Sequence, residues 1–472
     1  MFVRQFFVKG ISHSSYLLGG AHACAIIDPQ RDVEVYLQAA EEMGLSITHV
    51  LQTHLHADFI SGHLDLAEAT GATIYAPASA GCRFPHTGLS EGDTVEFEHL
   101  RLSVLETPGH TPEHVSYVVT DTGRGEGPVS VFCGDTLFVG DVGRPDLFPG
   151  RAQELASALY DSLHRKLLKL PDHVEVYPAH GAGSLCGRAM AAKRTSTIGY
   201  ERLHNPALQI ADLASFVDSL TTNMPAAPDH FSRCSAENGA GPALVRDLPV
   251  PRPLPPQEFA ALARSADSIV LDTREYDAFG GAHVPGAFNI GSAGNFATFA
   301  GWLLPVGREV LLVSNEPRRD AQWLWKVGLD RTVGYLKGGV LAYGMTGLPI
   351  QHVTQVSARA LHEQITAGEP MALVDVRSPE EYSRHHIKGS VNIPLADVRT
   401  RYGELDPNLP TAVICGSGQR SSIGCSLLLQ RGFEQVLNVA GGMSAYAALG
   451  LAPKCPFCVG PHGPRYLGDE EQ

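Results

Sequence analysis

The chain contains no block of lysine and arginine residues. Its 36 basic residues are outnumbered by 50 acidic ones, which gives a formal net charge of -14. Binding to nucleic acid or to an anionic membrane surface depends on a basic patch, so this composition argues against both kinds of partner. No stretch approaches the roughly 18 uninterrupted apolar residues of a membrane-spanning helix, and the N-terminal residues lack a basic region followed by an apolar core. These absences predict a soluble, cytoplasmic protein.

Cysteine is sparse as well. The 472 residues include nine cysteines, an odd number at irregular spacing. A disulfide-stabilised secreted domain would carry a dense and even-numbered set, so reduced thiols are expected here. Most of them we interpret as small buried or incidental side chains, namely Cys24, Cys82, Cys133, Cys234 and Cys425.

The length predicts several domains, and three is the number that the sequence favours. Residues 249–256 include five prolines in eight positions. Such a run favours extended polyproline conformation, so we expect a semi-rigid linker over residues 246–256. The linker would follow an N-terminal domain at residues 1–245.

Beyond this linker the sequence repeats itself. Residues 272–274 (Asp-Thr-Arg) match residues 375–377 (Asp-Val-Arg), and residues 283–290 match residues 386–393 at the same offset. Two homologous domains are therefore predicted. In each repeat apolar strands alternate with helical stretches, which is typical of a small parallel α/β sheet.

The repeats set the remaining boundaries of a multidomain α/β protein. We place one domain at residues 257–350, another at 354–453 and a tail at 454–472. The tail carries Cys455 and Cys458 in a Cys-x2-Cys pair, without the second ligand pair of a zinc site or the surroundings of a redox motif. We interpret it as an exposed tail without a defined role.

A possible metal site lies in the N-terminal part. The run Thr53-His54-Leu55-His56-Ala57-Asp58 is followed by metal-competent residues in three further glycine-flanked turns, each just after a predicted strand. Those further residues are His110, Asp135 and His180. A single histidine means little, whereas five or six such residues in turns of this kind predict a metal centre.

This pattern resembles the metallo-β-lactamase superfamily over about residues 1–245, with the glyoxalase II and persulfide dioxygenase branches most similar. The resemblance implies a four-layer αββα fold. One position departs from the dinuclear zinc hydrolases, because Phe59 stands where they have a histidine ligand for the second metal. A mononuclear centre of two histidines and one carboxylate is typical of non-haem Fe(II) oxygenases.

By resemblance to persulfide dioxygenases, one Fe(II) per chain would be bound by His54, His110 and Asp135. The same resemblance places His56, Asp58 and His180 around these ligands, where they would orient ligands and waters. A dinuclear zinc centre is the alternative.

Two further residues are candidates near this centre. Arg144 lies in a Gly-Arg-Pro-Asp turn, where the family resemblance implies an arginine that binds a glutathione carboxylate; otherwise it is a surface arginine. Cys186 ends a glycine-rich turn that starts at His180, and it precedes a predicted helix over residues 188–195. We expect the turn to bring the thiol toward the metal pocket and the helix N-terminus to lower its pKa, so that Cys186 could hold substrate sulfur. A buried structural cysteine is the other interpretation.

A second candidate site begins at Cys415, which ends a predicted strand. The run Cys415-Gly416-Ser417-Gly418-Gln419-Arg420 leads into a predicted helix. The backbone N–H groups of such a turn favour a thiolate and can bind a persulfide or sulfite, so the intervening residues Gly416, Ser417, Gly418 and Gln419 are candidate binding residues. Tyrosine phosphatases use a loop that is one residue longer. The Cys-x4-Arg loop resembles the rhodanese sulfurtransferases, with Cys415 and Arg420 as catalytic residues.

The middle repeat has Ser314 after its equivalent strand, and a hydroxyl cannot carry sulfur in this way. We therefore expect residues 257–350 to form an inactive rhodanese-like domain.

Together the patterns resemble the fused persulfide dioxygenase/rhodanese enzymes. The resemblance implies that a glutathione or coenzyme A persulfide is oxidised with O2 to sulfite, that sulfur transfer then gives thiosulfate, and that the chain forms a homo-oligomer, a dimer or tetramer. Two alternatives stay open. One is a glyoxalase II-like zinc thioester hydrolase with an attached sulfurtransferase, and the other is a sulfur-carrier or persulfide-sensing protein.

Overall fold

The structure is a computed structural model that describes residues 1–222 and 224–451, and the backbone of residues 457–460 and 463–466. Cys455 lies outside the described residues. The chain forms two compact units. The first unit consists of Met1–Leu248, Ala297–Leu304 and Gln322–Asp330, and the second of Pro249–Phe296, Pro305–Ala321 and the described residues from Arg331 onward.

The first unit is built on two six-stranded sheets. One has the order β1-β2-β3-β4-β5-β6 and is antiparallel up to β3 and parallel from there on. Its strands are β1 Phe2–Val8, β2 His13–Gly19, β3 Ala23–Ile27, β4 Ser46–Leu51, β5 Thr73–Pro77 and β6 Thr87–Leu89. The other has the order β14-β13-β10-β9-β8-β7. Its strands are β7 Thr94–Phe97, β8 Leu100–Glu106, β9 Val115–Asp121, β10 Pro128–Gly134, β13 Glu175–Pro178 and β14 Ser196–Thr197. A small hairpin joins β11 Leu137–Phe138 to β12 Asp141–Val142.

Helices cover the outer faces of both sheets. They are α1 Glu34–Met43, α2 His63–Thr70, α3 Ala152–Asp161, α4 Ile198–His204 and α5 Leu213–Thr221, whereas α6 His230–Ala240 lies against the loop after β4, where Asn238 Nδ2 donates to the carbonyls of His56 and Phe59 at 2.8 Å each. One apolar core lies between the sheets, where Tyr16 and Ile27 of the first pack with Tyr117 and Phe132 of the second. A second core packs the first sheet on α1 and α2, and a third packs the other sheet on α3 and α5. The predicted αββα layering is confirmed.

The second unit contains two five-stranded parallel sheets of identical topology, with orders β15-β19-β18-β16-β17 and β20-β24-β23-β21-β22. The strands of the middle repeat are β15 Arg252–Leu254, β16 Ser268–Asp272, β17 Phe288–Asn289, β18 Glu309–Val313 and β19 Thr332–Leu336. Those of the C-terminal repeat are β20 Thr354–Ser357, β21 Ala372–Asp375, β22 Val391–Asn392, β23 Thr411–Ile414 and β24 Val436–Ala440. The predicted internal repeat therefore folds as two copies of one domain.

Helices connect these strands. In the middle repeat they are α7 Pro256–Ala263, α8 Tyr276–Gly281, α9 Phe296–Leu303, α10 Pro317–Trp325 and α11 Gly339–Met345. In the C-terminal repeat they are α12 Ala358–Ala367, α13 Pro379–Arg384, α14 Val398–Arg401, α15 Gln419–Leu429 and α16 Gly442–Ala448. A last hairpin pairs β25 Phe457–Gly460 with β26 Gly463–Tyr466, and the backbone of Cys458 lies in it. Among the described residues, no helix is both long and apolar enough to cross a membrane.

One expectation about boundaries needs correction. The predicted linker over residues 246–256 is wrong in its second half, because Arg252–Leu254 pairs with β19 as an edge strand and α7 starts at Pro256. An edge position suits Pro253, which has no N–H to donate. Within the domain predicted at residues 257–350, the segments Ala297–Leu304 and Gln322–Asp330 make their main contacts with the first unit. There Arg31 pairs with Asp330 at 2.8 Å, and the N–H of Ile60 donates to the carbonyl of Lys326 at 2.7 Å.

Candidate functional site

The candidate metal residues follow the carboxyl ends of four strands of the first unit. His54, His56 and Asp58 follow β4, and the others follow β8, β10 and β13, namely His110, Asp135 and His180. All of these side chains are buried. Loops held by the two sheets therefore bring residues from distant parts of the sequence to one place.

Three of these side chains converge on one point. His54 Nε2 lies 3.8 Å and His110 Nε2 lies 3.3 Å from Asp135 Oδ2. One ligand atom from each of the three lies within 4.8 Å of the other two, so the group could hold a metal ion. Neither Nε2 atom has a hydrogen-bond partner, although a buried polar atom normally has one. Unpartnered, convergent nitrogen atoms beside a carboxylate oxygen fit a bound cation.

The hydrogen bonds of the Nδ1 atoms determine which tautomer His54 and His110 adopt. His110 Nδ1 lies 2.9 Å from the carbonyl oxygen of Arg144, which can only accept, so Nδ1 carries the proton. Thr53 Oγ1 donates to Asp28 Oδ2 and therefore accepts from His54 Nδ1, at 2.9 Å. In both rings Nε2 is left with a free lone pair directed at the candidate site, which is the arrangement that a metal ligand needs.

The electrostatic surroundings favour the same protonation states. Burial lowers the pKa of His54 well below its ordinary value, and nearby His56 and His114 lower it further. Burial alone would raise the pKa of Asp135, but His180 outweighs it and holds that pKa below the usual range. The group therefore offers neutral imidazoles and an ionised carboxylate.

The turn that carries Asp135 is supported from behind by His114. The backbone N–H of Asp135 donates to His114 Nε2 at 2.9 Å, and His114 Nδ1 lies 3.0 Å from Thr107 Oγ1. Burial lowers the pKa of His114 to about 3, so its ring stays neutral and can accept. A Cβ atom on Gly134 would overlap this ring, and the residue has a φ of +48°, so only glycine fits before Asp135.

The second candidate site lies in the C-terminal repeat. Cys415 follows β23, and its sulfur accepts a hydrogen bond from the N–H of Gly418 at 3.1 Å and from the hydroxyl of Ser421 at 3.3 Å. Only 1% of Cys415 is exposed, whereas Ser417 is exposed and Gly416 partly so. Arg420 forms a two-pronged ion pair with Glu381, with both distances 2.7 Å. The loop therefore offers hydrogen-bond donors to a sulfur anion and opens to solvent through Gly416 and Ser417.

The middle repeat has a different structure at the equivalent loop. Because Val313 and Ile414 occupy equivalent strand positions opposite Asp272 and Asp375, Ser314 corresponds to Cys415. Ser314 Oγ donates to Asp320 Oδ2 at 2.5 Å. Asp320 in turn takes the place of Ser421, so a buried carboxylate stands where the C-terminal repeat has a hydroxyl.

Comparison with known proteins identifies both parts of the chain. Residues 8–180 match the metallo-beta-lactamase superfamily, and residues 255–346 and 357–449 each match the rhodanese-like domain. A metallo-beta-lactamase of known structure from Staphylococcus aureus subsp. aureus COL is 35% identical with a TM-score of 0.65, and the match covers 71% of this chain and 99% of that one. The chain belongs to the metallo-beta-lactamase superfamily. Its N-terminal domain is of the metallo-beta-lactamase type, and two rhodanese-like domains follow.

Two relatives match different lengths of this chain. Persulfide dioxygenase ETHE1 of Bos taurus is 30% identical over 241 residues, which is 47% of this chain and 83% of the relative. Hydroxyacylglutathione hydrolase of Rhodospirillum rubrum is 40% identical over 160 residues, which is 34% of this chain. The chain spans 57% of that hydrolase's length.

Phe59 directly follows Asp58 and packs beside the candidate metal residues. Its ring is fully buried and lies 4.5 Å from the ring of His56 and 4.1 Å from that of His13, measured between centroids. An apolar ring at this place supplies no ligand atom. Hydrocarbon therefore lies against the rings of His56 and His13.

Cys186 does lie beside the metal cluster, as the glycine-rich turn predicts. Its sulfur, Asp58 and His180 lie within 4.8 Å of one another, and His180 Nε2 is 2.8 Å from Asp58 Oδ2. The prediction of a helix over residues 188–195 is wrong: all of these residues are described, and none is helical. The pKa prediction fails with it, because burial and the carboxylates of Asp58 and Asp135 raise the pKa of this thiol well above its ordinary value.

Arg144 is buried rather than exposed at the surface. Its guanidinium forms a two-pronged ion pair with Asp146, with both distances 2.7 Å, and donates to the carbonyls of Leu185 and Pro225. These contacts connect the Arg144 turn to the loop that carries Cys186. A substrate carboxylate at Arg144 would have to displace Asp146.

Sequence reasoning missed two residues of this centre. Asp28 accepts from the N–H and hydroxyl of Thr53 at 2.8 Å each, and its Oδ1 lies 3.1 Å from His56 Nε2. His13 Nε2 lies 2.8 Å from the carbonyl of Asp28. Asp28 directly follows β3, so the same reasoning about strand ends could have found it, whereas His13 is brought here by a β-bridge to His180, which is far away in sequence.

Proposed function

We propose that the chain is an Fe(II) persulfide dioxygenase coupled to a sulfurtransferase. The observation that supports this most is the buried cluster of His54, His110 and Asp135, in which the Nε2 atoms of both histidines have no hydrogen-bond partner. Two imidazoles and one carboxylate are the donor set of non-haem Fe(II) oxygenases, and they leave coordination positions open. When bound, iron(II) would supply those open positions for the thiol persulfide and O2.

The overall oxidation balances with water as a reactant. A persulfide anion, O2 and water give a thiol, sulfite and one proton (RSS⁻ + O2 + H2O → RSH + SO3²⁻ + H⁺), in which the outer sulfur is oxidised and O2 is reduced. Around the site, His180 Nδ1 donates to Asp135 Oδ1 at 2.7 Å. Burial alone would lower the pKa of His180, but Asp135 and Asp58 raise it well above its ordinary value. His180 would therefore hold a proton and keep the other oxygen of Asp135 aimed at the metal.

The sulfur transfer takes place at Cys415 in two balanced steps. The Cys415 thiolate attacks the outer sulfur of a second persulfide, which forms a cysteine persulfide and releases the small thiolate. Sulfite then attacks the outer sulfur of that cysteine persulfide, which gives thiosulfate and restores the Cys415 thiolate. The N–H of Gly418 and the hydroxyl of Ser421 stabilise the anionic sulfur in both states.

The relatives support a low-molecular-weight thiol persulfide as the substrate. One is named a persulfide dioxygenase, and another is named for a hydroxyacyl derivative of glutathione. We therefore propose glutathione persulfide as the first substrate to test and coenzyme A persulfide as the second.

Metal content and O2 uptake test the proposal. After anaerobic loading with Fe(II), the protein should bind about one iron per chain and consume O2 with glutathione persulfide, with thiosulfate as the product. His110→Ala should abolish O2 uptake and retain transfer from thiosulfate to cyanide at Cys415. Active protein with two tightly bound zinc ions and no O2 uptake would overturn the proposal.

A glyoxalase II-like zinc thioester hydrolase is the second candidate. The 40% identity to a hydroxyacylglutathione hydrolase favours it, while Phe59 argues against its second metal position. Hydrolysis of a hydroxyacylglutathione thioester under anaerobic conditions, at a rate typical of an enzyme, would favour the hydrolase.

We propose that Cys186 holds substrate sulfur at the metal cluster: its sulfur attacks the outer sulfur of the thiol persulfide, which forms a cysteine persulfide and releases the small thiol. The geometry that supports this is the approach of its thiol to Asp58 and His180. Cys186→Ser should then lose most of the O2-dependent turnover while it keeps its iron and its Cys415 transfer activity. Normal turnover, together with no persulfide on Cys186 by mass spectrometry of the anaerobically loaded parent, would leave it a buried structural residue.

Arg144 is proposed to bind the substrate carboxylate in competition with Asp146. Arg144→Ala should raise KM for glutathione persulfide by about 10- to 100-fold, for a contact of ~1.5 to 3 kcal/mol. Asp146→Asn is the matched variant, since it should free the guanidinium and lower KM. If neither variant changes KM for any carboxylate-bearing persulfide, the pair serves only to connect the two loops.

A further inference from the structure

The middle repeat contacts the Cys415 loop of the C-terminal repeat within the second unit. The first contact is between Tyr276, which begins α8, and Gly418. A Cβ atom on Gly418 would lie 3.2 Å from Cζ and 3.3 Å from Cε1 of Tyr276, so the half-buried ring packs against the glycine. Gly418 has a φ of +100°, which favours glycine, and it is the residue whose N–H donates to the sulfur of Cys415.

The second contact is a buried hydrogen bond one helical turn further along. Ser422 Oγ donates to Asn289 Oδ1 at 2.6 Å, and both residues are at most 2% exposed. Asn289 is itself fixed, because its Nδ2 donates to the carbonyls of Asp272 and Arg274 at 3.1 and 3.0 Å. Its hydrogen-bond acceptor is thus held in place at the end of β17.

These contacts divide the first turn of α15 between two neighbours. The N–H of Gly418 and the hydroxyl of Ser421 face the sulfur of Cys415, whereas the Cα of Gly418 and the side chain of Ser422 face the middle repeat. Gly418 and Ser422 are four positions apart and lie on one face of the helix, about 100° around the axis from Ser421, so Tyr276 and Asn289 contact a face that adjoins the sulfur donors. The C-terminal repeat has no matching ring to pack on the loop of the middle repeat, because the position equivalent to Tyr276 is Pro379.

We propose that the inactive repeat positions the sulfur-transfer loop. Tyr276 and Asn289 are positioning residues that hold the first turn of α15 so that the Gly418 N–H and the Ser421 hydroxyl point at the Cys415 sulfur. This proposal rests on the proposed function, because it assumes that Cys415 carries the sulfur. It gives the middle repeat, which has lost its own cysteine, a role in the reaction of its neighbour.

The test uses the full-length chain with Tyr276→Ala and Asn289→Ala. With thiosulfate as donor and cyanide as acceptor, each variant should lower kcat/KM about tenfold, which is about 1.4 kcal/mol at 25 °C. A purely structural role would not change the acidity of the thiol. The decisive measurement is therefore the pH dependence of Cys415 alkylation by iodoacetamide, followed on the Cys415 peptide by mass spectrometry. Its midpoint should move to higher pH in both variants, because the thiolate loses hydrogen-bond donors.

Three further variants sharpen the result. Tyr276→Phe keeps the ring and should restore the parental alkylation profile. Ser422→Ala removes only one hydroxyl, should reproduce the effect of Asn289→Ala without adding to it in the double variant, and keeps the test open if Asn289→Ala does not fold. Tyr335→Ala, on β19 of the same repeat, is the matched control and should leave the profile unchanged.

Parental alkylation profiles in Tyr276→Ala and in Ser422→Ala would overturn the inference. Failure of the proposed function would look different. In that case Cys415→Ser would retain thiosulfate-to-cyanide transfer, while the alkylation profile of the parent and of the positioning variants could still be measured.

Discussion

The two rhodanese-like repeats have the same sheet order but differ in the chemistry of one loop. In the C-terminal repeat the sulfur of Cys415 meets two neutral donors, the N–H of Gly418 and the hydroxyl of Ser421. In the middle repeat Ser314 replaces the cysteine and donates to the carboxylate of Asp320. A carboxylate beside a sulfur anion is repulsive, so the middle loop differs from an active one in charge as well as in its missing thiol.

The largest effect is expected when the C-terminal loop is made to resemble the middle one, because this removes the thiol that distinguishes the two repeats. Cys415→Ser should lower thiosulfate-to-cyanide transfer on the order of 10³-fold or more, since it removes the nucleophile. O2 uptake with glutathione persulfide should persist, and its product should change from thiosulfate to sulfite. The measurement is a product assay by ion chromatography beside O2 consumption. Continued thiosulfate formation at the parental rate without free sulfite would show that Cys415 is not the carrier.

The reverse experiment builds an active loop in the middle repeat, in a Cys415→Ser background. Ser314→Cys alone should remain nearly inactive, because the new sulfur would lie beside the Asp320 carboxylate. Ser314→Cys combined with Asp320→Ser should raise transfer by about tenfold or more over the single variant, as like-charge repulsion of ~1.4 kcal/mol or more is removed. Equal transfer by the two variants would mean that the charge of Asp320 does not distinguish the loops.

The arginine at the end of each loop offers a finer comparison. Arg420 is held by Glu381 in a partly buried two-pronged pair, whereas Arg319 of α10 pairs with Glu316, which precedes that helix, and both of these side chains are exposed. Glu381→Gln keeps the acceptor that caps α13 but loses the charge, so transfer should fall by about 3- to 10-fold. Glu316→Gln is the matched control and should leave kcat/KM for transfer unchanged. A similar response of both variants would remove this difference between the repeats.

The smallest expected effect is on stability. Burial raises the pKa of Asp320 above its ordinary value of 3.8, although Ser314 and Thr273 lower it in part. A carboxyl with a raised folded-state pKa contributes stability that is fully present below its unfolded pKa and is lost as the pH rises through the folded one. Asp320→Asn should therefore raise the Tm of the second unit at pH 7, by about 2–4 °C per 1 kcal/mol gained. The gain should shrink as the pH falls toward 3.8 in calorimetric scans, and a gain independent of pH would contradict the assignment.

Much of the fold could be predicted because its signals are local. The offset between residues 272–274 and 375–377 predicted two copies of one domain, and the structure has two sheets of the same order. The layered N-terminal fold was implied by the resemblance of the motif around His54 to the metallo-β-lactamase superfamily. The linker failed in part, since a proline-rich run that lacks N–H donors can also form an edge strand, and whether it does depends on the partner strand β19.

The candidate site divides in the same way. His54, His110 and Asp135 belong to a group of His and Asp residues that follow predicted strands, which made the whole group a candidate site, and the resemblance to persulfide dioxygenases then implied these three as the ligands. The raised pKa of the Cys186 thiol could not be predicted from the sequence, because it depends on burial and on the carboxylates of Asp58 and Asp135, which are far away in sequence. The partner of Arg144 could not be predicted either, since its guanidinium can form the same two-pronged pair with a substrate carboxylate or with Asp146.

By itself, the sequence determined which side chains are able to do chemistry, because ligand atoms, the Cys-x4-Arg loop and the loss of cysteine in the middle repeat are matters of residue type and spacing. The tertiary structure alone decided what surrounds them. It brought Asp28 and His13 to the metal cluster, placed the ring of Tyr276 against Gly418 and joined Ser422 to Asn289. The physical reason is that protonation state, tautomer and hydrogen-bond direction depend on neighbours within a few ångströms, and those neighbours come from distant parts of the chain.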